Sequence, residues 1–201
     1  IATAAGAFDV DGEGRNLEAR SVGMAVIGAV ATQREDAAGH ALVVEEAGAV
    51  LEVLEAVSQI LGADRVGVRL SPLNSYNSMS DSDPIGLATW LAKRLNECGL
   101  AYLHLMRADF LGQQHGDVVT PMREHFHGPL ILNMGFTAAE AAAAISAKKA
   151  DAVAFGTSFL ANPDLPTRIH TGAPLNAPEP STFYTPGPEG YTDYPALVGG
   201  K

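Results

Sequence analysis

From about residue 45 onward the sequence alternates long helical patterns with short apolar runs, and this alternation constrains the fold more than any other feature. Repeated units of this kind lay their strands side by side in a parallel sheet, because each helical crossover returns the chain in the same direction. Residues 45–61 place Val50, Leu51, Leu54, Val57 and Leu61 at the three- and four-residue spacings of an amphipathic helix, with Gly62 as its stop. Residues 65–70 (RVGVRL) read as a short strand closed by Ser71-Pro72. Asp83-Pro84 offers an N-cap and a first helical residue for a helix reaching Cys98, and Gly99 stands where a left-handed residue is favoured. A strand at 101–106, a short helix at 121–126 and a strand at 129–133 (PLILN) follow. Thr137 and Glu140 form a capping box for an alanine-rich helix to about Ala150, and 151–155 (DAVAF) is a fourth strand. A short helix is expected around 158–161, and Asn162-Pro163-Asp164 caps another. Pro174, Pro178, Pro180, Pro186 and Pro188 then rule out long regular elements, so the tail is an extended wrap.

The first 44 residues behave differently. Glycine and acidic residues cluster at 9–14, one apolar stretch covers 22–30, and a charged turn lies at 34–36, a pattern that supports one strand and a hairpin but no assigned function. Residues 45–201 are read as one α/β domain. Thirteen basic against 23 acidic residues give a formal charge of −10, which repels a phosphodiester backbone and an anionic membrane surface, so neither is an expected partner. Cys98 is the only cysteine and cannot form an internal disulfide, so the expected location is the cytoplasm. The apolar stretch at 22–31 is too short to span a bilayer and lacks a preceding basic region.

Two glycine turns are the first chemical candidates. Gly135 and Phe136 end a strand just before a capped helix, where backbone N–H groups face a positive helix end and can hold a phosphate; Gly156 and Thr157 repeat that pattern one unit later. The competing reading is that both glycines merely terminate strands. Arg69 sits second from the end of an otherwise apolar strand, where a charge needs a partner, and the plain alternative is a salt bridge to a nearby carboxylate. His104, alone on its strand, reads first as a hydrogen-bonded core residue rather than a cavity-lining one. His125 and His127 lack a completing Asp, Glu or Cys and read as surface histidines rather than a metal pair. Asp81 and Asp83 read as loop caps and Cys98 as a small packed residue. No Ser-His-Asp set, P-loop or zinc motif occurs, and the glycines at 6–14 lack the spacing and context of a dinucleotide fold.

Five segments together resemble the old yellow enzyme family of flavin oxidoreductases: GADRVGVRLSP (62–72), AYLHL (101–105), HFHGPLILNMGFT (125–137), DAVAFGTSFLANPDL (151–165) and FYTPGPEGYTDYPAL (183–197). The last is the most specific, since an aromatic pair followed by GYTDYP has little reason to arise from packing alone. The resemblance covers roughly residues 48–197 and implies strands five to eight of a TIM-type (β/α) barrel, present here as a half or shortened barrel. A complete barrel takes ~250 residues. The resemblance further implies FMN as cofactor, NAD(P)H as reductant and an electron-poor alkene as substrate. It assigns Arg69 to the flavin N1–C2=O edge, where a positive charge favours reduction, and Gly135, Phe136, Gly156 and Thr157 to the phosphate. It sets Phe183 and Tyr184 near the dimethylbenzene edge and the substrate mouth.

Two departures stand out. The family commonly carries arginine where Thr157 stands, so FMN should be held more weakly here, a neutral hydrogen bond being worth about 1 kcal/mol less than a charge-assisted one. Before residue 45 only a faint likeness at 1–16 remains. The family's His-x-x-His or His-x-x-Asn pair and its proton-donating tyrosine have no counterpart, leaving Tyr184, His104 or Tyr102 to substitute, with Tyr184 the candidate catalytic residue. For Tyr191 and Tyr194 the preferred reading is that they anchor the tail. A non-catalytic or flavin-binding-only half barrel is the alternative function. Either way the exposed sheet edges predict a homo-oligomer or pairing with a second half-barrel chain.

Overall fold

The structure, a computed structural model, describes residues 26–29 and 41–197. The hairpin expected before residue 45 and the likeness at 1–16 lie outside the described residues. The described chain forms two units, the first ending at Ala154 and the second beginning at Phe155.

The first unit carries a sheet of five strands in the order β1 (Val26–Ala29), β2 (Gly67–Leu70), β3 (Tyr102–Met106), β4 (Leu130–Asn133) and β5 (Ala152–Ala154). Every neighbouring pair is parallel. Helices α1 (Ala41–Leu61), α2 (Pro84–Asn96), α3 (Val119–His125) and α4 (Ala138–Ser146) connect successive strands. Strands in sequence order, each followed by a helix, form an arc of a (β/α) barrel wall. Residues 45–201 read as four strands; the fifth, β1, comes from the apolar stretch at 22–30.

Local chemistry explains the boundaries. The Asp83 side chain accepts from Gly86 N at 2.8 Å and Pro84 opens α2, while the helix at α4 has both halves of its capping box, Thr137 Oγ1 with Glu140 N at 3.2 Å and Glu140 with Thr137 N at 2.8 Å. α4 stops at Ser146 rather than near Ala150 because the turn that follows takes Lys148 to φ 56°. α3 starts two residues before the expected Pro121, since Asp117 already accepts from Val119 N and Thr120 N at 3.0 Å each.

In-register residues of parallel strands share a face. Val68, Leu70, Leu103, Leu105, Leu130 and Leu132 lie on one face, buried with Leu54, Leu87, Leu91, Leu95 and Met122 of the helices. Each such side chain contributes about 1.5–3 kcal/mol. The opposite, inner face is only half-buried and carries the polar residues described below.

The second unit contains α5 (Thr157–Ala161), α6 (Leu165–Thr171) and the proline-rich tail. Arg168, buried at 4% exposure, ties it together by donating to Asp164 Oδ1 at 2.7 Å, Pro174 O at 2.6 Å and Pro195 O at 2.8 Å. Asp164 does not cap α6 as expected; its carboxylate instead takes Arg168 and the Leu197 N–H at 2.8 Å. Tyr194 anchors the tail, its hydroxyl accepting from Glu179 N at 2.8 Å, whereas the ring of Tyr191, expected to do the same, is exposed. Among the described residues no helix is long and apolar enough to cross a membrane.

Candidate functional site

The register aligns Gly28, Arg69, His104, Ile131 and Ala152 in one row across the inner face. Asn133, partnered with Met106 and Ala154, lies one row nearer the carboxyl ends of the strands. One row the other way, the Tyr102 ring covers Gly67 so closely that a Cβ there would overlap it. Burial raises the Tyr102 pKa, so its hydroxyl stays protonated at neutral pH.

Arg69 is half-buried, and among the described residues no carboxylate or hydrogen-bond acceptor pairs with it. The expected alternative of a salt bridge does not hold there. Burial lowers its pKa, although guanidinium stays charged at any physiological pH. The guanidinium acts on its row neighbour. Burial first, and then the Arg69 charge, push His104 down to about 4, with the nearby Asn133 side chain acting the other way. His104 is therefore neutral at pH 7. Among the described residues, its Nε2 and the Asn133 Oδ1 are buried without a hydrogen-bond partner. The ring thus lies on the polar inner face beside Asn133 rather than in the apolar core, and among the described residues no well-formed hydrogen bond holds its Nε2. A cation, an imidazole nitrogen and an amide oxygen thus stand together on a face that apolar packing leaves free, each able to bond a polar ligand edge.

The β4–α4 turn lies at the carboxyl end of the same sheet. Met134 and Gly135 have φ of 91° and 64°. Gly135 tolerates that conformation, and a Cβ built there meets nothing within 4 Å. Met134 does not, at a cost on the order of 1–3 kcal/mol. Among the described residues the backbone N–H groups of Gly135 and Phe136 have no acceptor. Consecutive N–H groups freed by such a turn make an anion-binding concavity. Arg107, which sequence reasoning passed over, holds the turn from β3: Nε donates to Met134 O at 2.8 Å and Nη2 to Gly135 O at 2.9 Å, with its guanidinium 3.6 Å from the Phe136 ring centroid. Its only sequence signal was a cation directly after an apolar strand.

The connections after β2 and β3 are locked together at the same end. Asp109, 7% exposed, accepts from Ser75 Oγ at 2.7 Å, Ser75 N at 2.9 Å and Gln113 N at 2.7 Å. Burial alone would raise its pKa, but the Ser75 hydroxyl and the surrounding N–H groups outweigh it and hold the carboxyl well below the usual carboxylate range.

In the second unit Gly156 and Thr157 are exposed at the start of α5, and Gly156, at φ −89°, needs no special conformation. Phe183 is half-buried, while Tyr184 is 97% exposed. Among the described residues no group of three or more His, Cys, Asp or Glu could hold a metal, and His127 is exposed as expected.

A parallel strand–helix arc with its polar groups at the inner face and the carboxyl strand ends defines a segment of a (β/α) barrel. The chain belongs to the NADH:flavin oxidoreductase / NADH oxidase family, whose model matches residues 33–176. It is 49% identical over 146 residues to a probable flavin mononucleotide-dependent alkene reductase of Leishmania infantum, covering 73% of this chain and 40% of that protein. With 12-oxophytodienoate reductase 2 of Arabidopsis thaliana it shares 43% identity over 152 residues, 73% of this chain and 41% of the relative. The solved old yellow enzyme from Trypanosoma cruzi superposes with a TM-score of 0.75 at 42% identity, covering 77% of this chain and 41% of that one. The chain therefore spans about 40% of the length of the curated relatives it matches.

Proposed function

We propose that this chain is the flavin-holding part of an FMN-dependent ene reductase that takes electrons from NADH or NADPH and reduces an electron-poor alkene. The observation that carries the reading is Arg69: a half-buried cation on the inner face with no carboxylate among the described residues, beside two unpartnered polar atoms, His104 Nε2 and Asn133 Oδ1. Desolvating a cation without compensation is costly, and an electron-rich heterocycle edge with carbonyl and nitrogen acceptors answers it. The turn at Gly135–Phe136 has the free N–H pair and the open space that a phosphate monoester needs. The residues present therefore fit FMN.

When bound, FMN would supply the redox chemistry that passes hydride from a nicotinamide to an electron-poor alkene. Arg69 would hold the N1–C2=O edge, where its charge would favour the reduced form. Gly135 and Phe136 would hold the phosphate. In the second unit, taken by itself, Gly156 and Thr157 are exposed and could donate to a phosphate, and Tyr184 has an exposed ring and hydroxyl that could supply a proton. The nicotinamide pool and the lone cysteine go with a cytoplasmic setting.

A second reading is a flavin-binding half barrel without its own turnover that self-associates or pairs with another half-barrel chain. What favours it is that β1 and β5 each have one edge without a partner strand among the described residues. The test is a visible spectrum of the purified protein with FMN, followed by NADPH without oxygen. A flavin band that bleaches, and bleaching that fails in Arg69→Ala, is the expected result. A protein that cannot be reconstituted with FMN rules out the reductase, and retained flavin without turnover of an enone favours the second reading.

A further inference from the structure

The Arg107 side chain touches each of Met134, Gly135 and Phe136, and its Nη2 also approaches the Glu140 carboxylate at 3.6 Å. The Arg107 main chain adds a bond from its N–H to Asn133 O at 3.1 Å. This grip has a geometric consequence. In a trans peptide the C=O and N–H point in opposite directions, and no peptide bond among the described residues is cis. The Met134 carbonyl shares its peptide plane with Gly135 N–H, and the Gly135 carbonyl shares its plane with Phe136 N–H. Drawing both carbonyls toward Arg107 therefore turns both N–H groups away from it, in the direction where neither meets an acceptor. The positive φ of Met134 and Gly135 is the backbone form of that arrangement.

We propose that Arg107 is a positioning residue for phosphate recognition: by fixing the Met134 and Gly135 carbonyls it aims the Gly135 and Phe136 N–H groups at a phosphate monoester. The inference rests on the reading that the β4–α4 turn takes the FMN phosphate. Arg107 acts through geometry: its Nε and Nη2 donate to the two carbonyls, and its charge faces Glu140. A lysine would keep the charge but cannot donate to both carbonyls from a planar fork.

The test measures the dissociation constants of FMN and of riboflavin by flavin fluorescence quenching, using the whole 201-residue chain. The ratio of the two isolates the phosphate contribution. Arg107→Lys and Arg107→Ala are both expected to weaken FMN binding roughly tenfold, the equivalent of one charge-assisted bond, while riboflavin stays within about twofold. An Arg107→Lys variant with the wild-type ratio would mean that charge alone matters and overturns the proposal. Equal losses for both ligands assign Arg107 to general packing and overturn it too. If the wild-type chain binds riboflavin as tightly as FMN, or binds neither, the phosphate reading itself fails, an outcome visible before any variant is made.

Discussion

His104 gives the sharpest check on the inner face, because its ionisation reports both burial there and the neighbouring cation. Burial and the Arg69 charge lower its pKa from 6.5 to about 4. Between those two values the unfolded chain binds a proton that the folded chain refuses. Stability is therefore complete above about pH 6.5, falls as the pH drops through that window, and levels off below about pH 4. A shift of this size corresponds to at most about 3 kcal/mol, and the ring's partial solvation reduces the figure to about 1–2 kcal/mol. Urea unfolding at pH 7.5 and pH 5 should show that loss in the wild type but not in His104→Gln. The imidazole titration, followed by nuclear magnetic resonance, should give a midpoint well below 6.5 that rises in Arg69→Gln yet stays depressed, since burial is the larger cause. A midpoint at or above 6.5 would show that the ring is solvated, and an unchanged midpoint in Arg69→Gln would show that the two side chains do not share the face.

Two further outcomes follow from the strand ends and the second unit. Asp109→Ala strands the buried Ser75 N–H and hydroxyl and should cost about 4 kcal/mol, read as a lower urea midpoint at constant slope; because the wild-type carboxyl is held below its unfolded value, its contribution is present above about pH 4 and lost in acid, a loss that Asp109→Asn should not show. Thr157→Arg adds a charge-assisted donor worth about 1 kcal/mol more than the hydroxyl, so FMN should bind about fivefold tighter, and an unchanged affinity would remove Thr157 from the phosphate site.

Much of the fold was legible because local signals and burial agree. The caps at Asp83 and Thr137, the left-handed Gly99 and the short apolar runs each act within a few residues, so spacing alone located them. Where ends were misjudged, the deciding contact was one that a propensity pattern does not weigh, such as Asp117 starting α3 early. The site was only partly legible for the same reason. Arg69 was visible as a charge in an apolar strand, yet whether it had a partner depended on which residues neighbouring strands brought beside it. Arg107 was invisible because its role lies in carbonyls 27 and 28 residues away. Asp109 likewise acts on Ser75, 34 residues earlier in sequence and on another connection.

These long-range contacts share one logic. The outer face of the sheet is closed by leucine and valine packing, which needs no polar help, whereas the carboxyl strand ends are held by ionic and hydrogen-bonded clamps: Asp109 across the β2 and β3 connections, Arg107 across the β3 and β4 connections. Apolar packing tolerates small shifts, while a hydrogen bond is lost over a few tenths of an ångström. A fold selected for stability alone would gain by filling the row of Arg69 and His104 with aliphatic side chains, since replacing buried charge with well-packed apolar groups is often neutral or stabilising. Leaving a cation and two polar atoms without partners among the described residues, while clamping the turns beside them, gives up stability for a rigid, polar surface of the kind that preorganised binding of a charged ligand requires.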